Sequence, residues 1–456
     1  MKAVILNFTG QRENWGCQAT SWNLYRFCWT ALKPLGLNHL AIVPLPPGCI
    51  SDRFVQWRHG ARIRAIYSDP NPSKQDLEFL ERLASSRFGD MVDRVRSADV
   101  VLFQGEGTMG PSRYYENLRF FGLPFLASRL WKKPVISLNQ SFVIDRDMDR
   151  AAAVNIFDRF EVVALRESRS LERCLENRID TAVLCPDMAF LDALNTVVSA
   201  PAASGDAGYF CITGSAGLGG YRVDDYVNTL AEVAHRTGLT PVFLYSRSSD
   251  SIIGQKLTEI LGEDGLKILS VDNLPSYKEL LPVLASAKFT IGGRYHSSVS
   301  SMAMRTPVIL TAGNTHKSEG LGQLVQISLP IHASDDTDGI VNSCLQILAS
   351  LDAKRAELDA AMARMCQTYG LFSQFIQAVV AQSMSEPSSS LDVLSRRFAD
   401  AALASVKTEQ GEDYSVGNVS QEPAFELLQA EAKNTTLLSK AERGKHMKLF
   451  SQLFRT

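Results

Sequence analysis

The stretch KFTIGGRYHSSVSSMAMRTPVILT, residues 288–311, contains the structural unit on which the fold prediction rests. A short apolar strand, KFTIG, is followed by a polar turn, a helix with the sequence SSVSSMAM and a second apolar strand, TPVILT. Continuous apolar strands separated by helices favour parallel sheets that are covered on both faces. The stretch therefore predicts an α/β fold.

The same alternation runs through most of the chain. The apolar runs AVILNF, ADVVLFQ, KPVISLN, FEVVALR and TAVL predict strands in the first half, and GYFCIT, TPVFLYS and LKILSV predict further strands in the second. A small, polar stretch at 196–208 separates the halves. We therefore predict two doubly wound Rossmann-like domains that face a cleft, at 1–197 and 206–383, and a partly disordered helical extension at 384–456.

The overall composition limits the classes of function. The chain has 456 residues, 45% hydrophobic and 21% charged, which is typical of a soluble protein with more than one core. A net charge of −2 supplies no overall basic field for nucleic acid. None of the 8 cysteines forms a CxxC pair, so we expect no metal site and no disulfide framework. The opening MKAVILNFTG is expected to form a core strand and not an export signal, which predicts a cytoplasmic protein.

The last segment of the chain is basic. From Ser439 onward, five Lys or Arg residues stand against Glu442, and five minus one gives +4. Leu449 and Phe450 lie in the same segment. This composition is compatible with a helix that docks on the inner face of a membrane or on a protein partner. A solvated tail that folds back on the body explains the same residues.

Polar residues follow the predicted strands of the first half, where doubly wound sheets bind ligands. Asn14 and Gly16 form a turn before a helix whose amide end can attract an anion, although a simple helix cap explains them too. Gly105 and Gly107 allow close approach of the backbone to a ligand. Between and after them, Glu106 and Thr108 offer an acceptor and a hydroxyl group. We therefore take six residues of this half as candidates for one site: Asn14, Gly16, Gly105, Glu106, Gly107 and Thr108.

Two further polar residues follow later strands of the first half. Arg166 comes directly after a strand and can bind a carboxylate or phosphate through two hydrogen bonds. An ion pair with Glu167 or Asp187 is the alternative role for Arg166. Asp187 lies in a short loop after TAVL, where a capping role competes with a catalytic one.

The turn at the start of the opening stretch has the densest set of candidates. Gly293 ends the strand, Arg294 and His296 follow, and Ser297 lies near the start of the next helix. The following strand leads to Lys317. Arginine, histidine, lysine and a helix N-terminus that converge on one cleft predict a site for a small anion.

Several short motifs, taken in order, resemble a known family. They are NWG at 14–16, GEGT at 105–108, LRESRS at 165–170, CPDMAF at 185–190 and GGRYHSS at 292–298, followed by TPVIL and Lys317. This order is similar to that of the polysaccharide pyruvyl transferases over roughly residues 1 to 325. The resemblance implies a fold like that of GT-B glycosyltransferases. It also implies transfer of the pyruvyl unit of phosphoenolpyruvate to two hydroxyls of one sugar. The family often has an acidic residue where this chain has Cys17.

The chemistry of phosphoenolpyruvate suggests a role for each candidate. Arg294, Arg166 and Lys317 would hold its phosphate and carboxylate. His296 would act as the general acid, because imidazole changes protonation near neutral pH. Glu106 or its competitor Asp187 would orient or deprotonate the acceptor, a glycan or lipid-linked sugar. We expect no cofactor besides phosphoenolpyruvate as the donor substrate.

Two other functions fit the same architecture. A sugar-nucleotide glycosyltransferase could use the glycine-rich GSAGLGG at 214–220 to bind a diphosphate, although its spacing is not GxGxxG. Many retaining members of that class carry two glutamates seven residues apart, whereas Glu319 is followed at that spacing by Ile327. The third possible function is that of a non-catalytic relative, which binds a glycan and recruits partners through its basic tail.

Overall fold

The computed structural model describes most of the chain up to residue 385. The described residues are 1–45, 50–109, 114–144, 146–195, 208–215, 223–245, 250–311 and 317–385. The predicted domain boundary at 197–206 lies outside these ranges. The predicted extension also lies outside them, except for its first two residues, which continue a helix.

The described residues form two parallel sheets of six strands. The first sheet has the order β2-β1-β3-β4-β5-β6, and the second has the order β12-β11-β10-β7-β8-β9. The prediction of an α/β protein with two doubly wound sheets is confirmed. The strands of the first sheet are β1 Lys2–Phe8, β2 His39–Pro44, β3 Val100–Met109, β4 Val135–Phe142, β5 Val162–Leu165 and β6 Ala182–Leu184. Those of the second are β7 Tyr209–Ser215, β8 Thr240–Tyr245, β9 Lys267–Ser270, β10 Thr290–Gly293, β11 Val308–Thr311 and β12 Ile331–His332.

Helices cover the faces of both sheets. In the first half they are α1 Trp15–Leu32, α2 Ile50–Ser68, α3 Lys74–Phe88, α4 Asp90–Arg96, α5 Leu118–Arg129, α6 Arg150–Phe157, α7 Ser168–Glu176 and α8 Asp192–Asn195. In the second half they are α9 Val223–Thr237, α10 Ser251–Leu261, α11 Tyr277–Ser286, α12 Tyr295–Ala303, α13 Lys317–Val325, α14 Thr337–Ala349 and α15 Leu351–Ser385. No helix within the described ranges is long and apolar enough to cross a membrane.

The apolar runs of the sequence become strands because both faces of each sheet are covered. All eight residues of β4 are buried, and so are six of the seven residues of β1. Neither face of such a strand exposes apolar surface to water, which stabilises a parallel arrangement. Aromatic rings fill the space between sheet and helices: the ring centroid of Phe103 lies 6.0 Å from that of Phe121 and 6.2 Å from that of Phe160.

The strand order places a crevice at one edge of each sheet. In the first sheet the order changes direction between β1 and β3, and in the second between β7 and β10. Loops that leave neighbouring strands in opposite directions open a crevice at their carboxyl ends. Thr9 follows β1, Glu106 lies near the end of β3, and Arg294 follows β10. Glu106 and Arg294 therefore lie at these crevices, whereas Arg166 and Asp187 follow β5 and β6 at the same edge of the first sheet.

Helix α1 connects the two halves through its first turns. The indole Nε1 of Trp15 donates to the carbonyl oxygen of Leu274 at 2.7 Å. The side chain of Gln18 accepts a hydrogen bond from the backbone N–H of Tyr277 at 2.9 Å. Because Tyr277 is the first residue of α11, Gln18 satisfies one of the amide groups that a helix start leaves without an internal acceptor.

Asp192 is a buried carboxyl group at this junction between α1 and α11. It is 2% exposed, and burial raises its pKa to about 7, while Asn23 and the charges of Arg26 and Lys278 act in the opposite direction. The unfolded value is about 3.9. Because the pKa is higher in the folded state, Asp192 contributes stability that is fully present below about pH 4 and is lost as the pH rises through 7.

We predict that Asp192→Asn flattens the dependence of stability on pH. Between pH 5 and pH 8 the free energy of unfolding of the wild type should fall relative to that of the variant, with a limiting slope of about 1.4 kcal/mol per pH unit. Urea unfolding at each pH measures both proteins. Asp147→Asn changes an exposed aspartate and should retain the wild-type profile. Parallel profiles for Asp192→Asn and the wild type would contradict the assignment.

Candidate active site

A buried ion pair between Arg166 and Asp187 lies at the carboxyl edge of the first sheet. Nη1 of Arg166 donates to Oδ2 of Asp187 at 2.9 Å, and the two side chains are 2% and 0% exposed. Nε of Arg166 also donates to the hydroxyl of Ser141 at 2.8 Å, and the hydroxyl of Thr20 donates to Oδ1 of Asp187 at 2.9 Å. The carbonyl oxygen of Asp187 accepts from the hydroxyl of Tyr369 at 2.6 Å. These contacts fix the positions of both charged groups.

Both members of this pair stay charged despite their burial. For Asp187, burial favours the neutral acid, but the hydrogen bond and charge of His296 and the charge of Arg166 hold its pKa well below the usual range. For Arg166, burial lowers the pKa, but the charges of Asp187, Tyr295 and Glu106 and the hydrogen bond to Asp187 together outweigh this effect and raise it. The ion pair is therefore a permanent feature of the folded protein near neutral pH.

His296 extends this ion pair across the cleft from the second sheet. It is the second residue of α12, directly after β10 and Arg294. Its Nε2 lies 2.9 Å from Nη1 of Arg166 and 3.5 Å from Oδ2 of Asp187, and its side chain is 19% exposed. A guanidinium group has donors and no acceptor, so Nε2 accepts from Arg166 when the ring carries its one proton on Nδ1, whereas a proton on Nε2 faces the carboxylate of Asp187. A second proton on the ring would be balanced by the carboxylate of Asp187.

Two close contacts hold the imidazole of His296 in place. The ring centroid of the neighbouring Tyr295 lies 5.5 Å from that of His296 in an edge-on arrangement, and the same tyrosine covers Arg166, whose Cζ lies 4.7 Å from the ring centre. On the other side, the backbone of Gly16 approaches so closely that a Cβ at this position would lie 2.5 Å from Cβ of His296 and 2.7 Å from its Nδ1. Gly16 is the second residue of α1, and Asn14 caps this helix by accepting from the backbone N–H of Cys17 at 3.0 Å. The start of α1 thus forms one wall around His296.

Glu106 belongs to a polar cluster at the carboxyl ends of β1 and β3. Its Oε1 accepts hydrogen bonds from the hydroxyl of Thr9 and from Nε2 of Gln104. Gln104 also donates to the hydroxyl of Ser21 on α1 at 2.7 Å. The backbone φ of Glu106 is +45°, a conformation that is uncommon for residues other than glycine. The charge of Glu106 contributes to the raised pKa of Arg166, so this cluster is electrostatically continuous with the ion pair.

Cys17 lies next to Glu106. Its Sγ is 4.0 Å from Oε2 of Glu106, and burial, followed by the charge of Glu106, raises the pKa of the thiol to about 12. The thiol is therefore neutral near pH 7.

Arg294 lies at the crevice of the second sheet and pairs with an acidic residue. Its Nε donates to Oδ2 of Asp250 at 3.0 Å, and its Nη2 donates to Oδ1 of the same carboxylate at 2.5 Å. Asp250 in turn packs against Gly214, where a Cβ would lie 2.6 Å from the carboxylate. The guanidinium of Arg294 is therefore oriented by Asp250.

The other predicted site residues occupy varied positions. Gly105 packs against the side chain of Gln140, whose Oε1 would lie 1.7 Å from a Cβ at position 105. Gly293 ends β10, and Ser297 is the half-buried third residue of α12. Gly107 and Thr108 lie in β3, and Lys317 begins α13. The side chains of Thr108 and Lys317 lie outside the described residues.

Several polar residues of the site were absent from the sequence prediction. They are Thr9, Ser21, Gln104, Ser141, Thr20 and Asp250. Thr9, Ser141 and Asp250 follow or end strands, and this position was a usable signal. Thr20 and Ser21 lie inside a helix, where their side chains gave no such signal. Among the described side chains, no group of three or more His, Cys, Asp or Glu residues could hold a metal ion.

A family comparison identifies this arrangement. The model of a family described as polysaccharide pyruvyl transferase matches residues 50–314, which is more than half of the chain. The chain belongs to this family. The matched segment contains Glu106, Arg166, Asp187 and His296, whereas Gly16 precedes it. No curated protein matches the sequence.

Solved structures resemble this family member in fold. The S. aureus MnaA–UDP structure has a TM-score of 0.50 and 10% identity, over 80% of this chain and 94% of that chain. Anabaena HepE in complex with UDP and glucose has a TM-score of 0.49 and 13% identity, over 89% and 100%. UDP-GlcNAc 2-epimerase from Methanocaldococcus jannaschii, in complex with UDP-GlcNAc and UDP, has a TM-score of 0.46 and 14% identity, over 76% and 92%. Together with the two parallel sheets, the first of these likenesses confirms the GT-B-like architecture.

We predict that Gly16→Ala displaces His296 and destabilises this family member by about 1–3 kcal/mol, the usual cost of overpacking a filled site. The imidazole signals of His296 in a two-dimensional NMR spectrum should shift as the ring moves. Gly370→Ala is the matched control, because no heavy atom lies within 4 Å of a Cβ at that helical position. It should be neutral or slightly stabilising. An unchanged His296 signal and unchanged stability in Gly16→Ala would contradict the contact.

Proposed function

We propose that this protein transfers the pyruvyl group of phosphoenolpyruvate to two hydroxyls of one sugar in a polysaccharide or glycan precursor. The products are a cyclic pyruvate ketal and phosphate. The observation that best supports this reaction is the row formed by Asp187, Arg166 and His296, with Glu106 beside it. It combines a fixed cation, a group that can carry a proton and a carboxylate in a member of a pyruvyl transferase family.

Arg166 and Arg294 are the proposed holders of the two anionic groups of phosphoenolpyruvate. Among the described residues, Nη2 of Arg166 and Nη1 of Arg294 have no hydrogen-bond partner, which leaves one nitrogen of each guanidinium, with its two N–H groups, for a ligand. The first amides of α12, from Tyr295 to Ser297, have no acceptor within their own helix and favour negative charge. Lys317 remains a proposed third cation.

His296 is the proposed proton donor. A proton delivered to C3 of the enol makes C2 electrophilic, and a sugar hydroxyl then forms a bond to C2. Phosphate leaves as the second hydroxyl closes the ring. Of the two protons that the hydroxyls release, one replaces the proton given to C3 and the other leaves with phosphate. The carboxylate of Asp187 would stabilise the charged imidazole before transfer.

Glu106 is a better proposed base for the sugar hydroxyl than Asp187. Both oxygens of Asp187 already accept hydrogen bonds, its side chain is fully buried, and its lowered pKa makes it a weak base. Glu106 is only partly buried, and its Oε2 has the weak contact with Cys17 as its one described side-chain partner. We therefore assign Asp187 as the counter-ion that positions Arg166 and His296.

The identity of the donor separates this proposal from the alternative, transfer from a sugar nucleotide. The UDP bound in the MnaA structure is the reason to test that alternative. We expect phosphoenolpyruvate, but not UDP- or GDP-sugars, to raise the thermal unfolding temperature. With phosphoenolpyruvate and candidate glycans, mass spectrometry should show a gain of about 70 Da on the acceptor, by atom counting on the acid-base scheme above. Stabilisation by a nucleotide sugar together with transfer of a hexose would overturn the proposal.

The role of His296 can be tested separately. His296→Gln keeps an oxygen that can accept from Arg166 but cannot carry a proton, so kcat should fall about 100-fold or more. KM for phosphoenolpyruvate should change much less. His235→Gln, which changes an exposed histidine on α9, should leave both constants unchanged. Retained turnover in His296→Gln would remove this residue from proton transfer.

We also infer a cytoplasmic location and a glycan or lipid-linked sugar acceptor. Docking of the basic C-terminal segment on a membrane or protein stays a prediction from the sequence.

A further inference from the structure

Helix α2 presents an exposed aromatic surface on the outside of the first sheet. The side chains of Trp57 and Phe54 are on its outer face, with 81% and 44% of the residue exposed, and their ring centroids lie 5.9 Å apart. Ala61 and Ala65 are exposed on the same face, because residues spaced by three and four share one side of a helix. A tryptophan with this exposure loses the burial that normally stabilises such a side chain. We call Phe54, Trp57, Ala61 and Ala65 the apolar stripe of α2.

Arginine residues flank this apolar stripe on both sides. Arg53 and Arg58 are exposed, and neither forms an ion pair with a described residue. Asp52 is the one acidic residue of α2 whose side chain is described, and it is bonded to Arg87 of α3 away from the stripe. The surface therefore combines apolar rings with uncompensated positive charge.

The chemistry of this surface fits an anionic lipid membrane. Aromatic rings insert at the boundary between headgroups and acyl chains, while arginines at the edge of the inserted face contact phosphate groups. Basic residues close to an anionic leaflet are attracted to its negative surface potential. A second copy of the chain fits less well, because a symmetric contact would place Arg53 and Arg58 against the same arginines. Two rings and two alanines also supply far less area than the roughly 800 Å² per partner of a stable protein interface.

The apolar stripe lies on the side of the first sheet that carries the candidate active site. Helix α2 follows β2, so its first turns begin near the carboxyl edge of the sheet, where Thr9 and Glu106 also lie. The side chain of Arg64, further along α2, donates to Glu116 at 2.5 Å, and Glu116 lies seven residues after the end of β3. These contacts attach α2 to the segment that leaves the crevice.

We propose that α2 docks on membranes rich in anionic phospholipid, with Phe54 and Trp57 inserted and Arg53 and Arg58 bound to lipid phosphates. The proposal does not depend on the transferred group. It supplies the first half of the protein with a second membrane contact besides the predicted one in the C-terminal segment.

Sedimentation with vesicles tests the proposal on the full-length chain. Vesicles of phosphatidylcholine with 30% phosphatidylglycerol should bind the wild type in about 0.1 M NaCl, and pure phosphatidylcholine vesicles should bind it much more weakly. The bound fraction should fall at least fivefold in Phe54→Ser/Trp57→Ser and in Arg53→Glu/Arg58→Glu. Brominated lipids should quench the tryptophan fluorescence of the wild type more than that of Trp57→Phe, which reports insertion at this residue directly.

Matched control variants show whether vesicle binding depends on this surface or only on exposed apolar side chains and positive charge in general. Leu175→Ser/Ile260→Ser removes two other exposed apolar side chains, and Arg236→Glu/Lys267→Glu makes the same change of net charge elsewhere. Both should bind vesicles like the wild type. A variant with Lys440, Arg443, Lys445 and Lys448 replaced by serine measures how much of the vesicle binding depends on the C-terminal segment.

Three outcomes would overturn the proposal. They are equal vesicle binding by the α2 variants and the wild type, loss of binding in the C-terminal variant alone, and concentration-dependent self-association that the α2 variants abolish in the absence of vesicles. Either of the first two would place the membrane contact elsewhere in the chain. The third would make the aromatic surface a contact between copies of the chain.

Discussion

The Arg166–Asp187 ion pair is the interaction on which the candidate active site depends. A buried ion pair is stable only when most of its remaining hydrogen-bonding groups are satisfied, and Ser141, Thr20 and Nε2 of His296 satisfy all of them except Nη2 of Arg166. Removal of either charged partner would leave an unpaired charge in a buried position. The pair thereby fixes the first sheet, the loop after β6 and the second sheet at a single point.

The fold could be predicted from the sequence because strands that are covered on both faces leave a continuous apolar run. This signal identified the central strands and the edge strands β6 and β9, but it missed the opposite edge strands, β2 and β12. Strand β2 has only the four apolar residues at 40–43, between exposed His39 and Pro44, and β12 has only two residues. The stretch LQILASLDAKRAELDAAMARMCQTYG at 345–370 has a continuous helical pattern in the sequence, but the structure divides it, because Ser350 adopts a ψ of 29° between α14 and α15. Local periodicity does not report such a short interruption.

The candidate site could be predicted only in part, for a different physical reason. Residues at strand ends share an edge of the sheet, so His296, Arg294, Arg166 and Glu106 could be selected by position alone. Which of them touch depends on the register between two separate sheets. The alternative reading of Arg166 as the partner of Asp187 describes its contact in the folded chain. The pairing of Arg294 with Asp250 joins two strand ends that are 44 residues apart, and no short motif reports such a distance.

Because of the contact between Gly16 and His296, the environment of the imidazole is complete only when the two halves of the chain are in contact. One side of the ring is formed by α1 from the first half, while the backbone that carries the ring belongs to the second. A separation of the halves by a few ångströms would remove the acceptor contact with Arg166, the nearby carboxylate and the glycine wall together. The surroundings of His296 therefore depend on contact between the two halves, so any motion that separates them would change its hydrogen bonding, its electrostatic environment and its exposure to water at the same time.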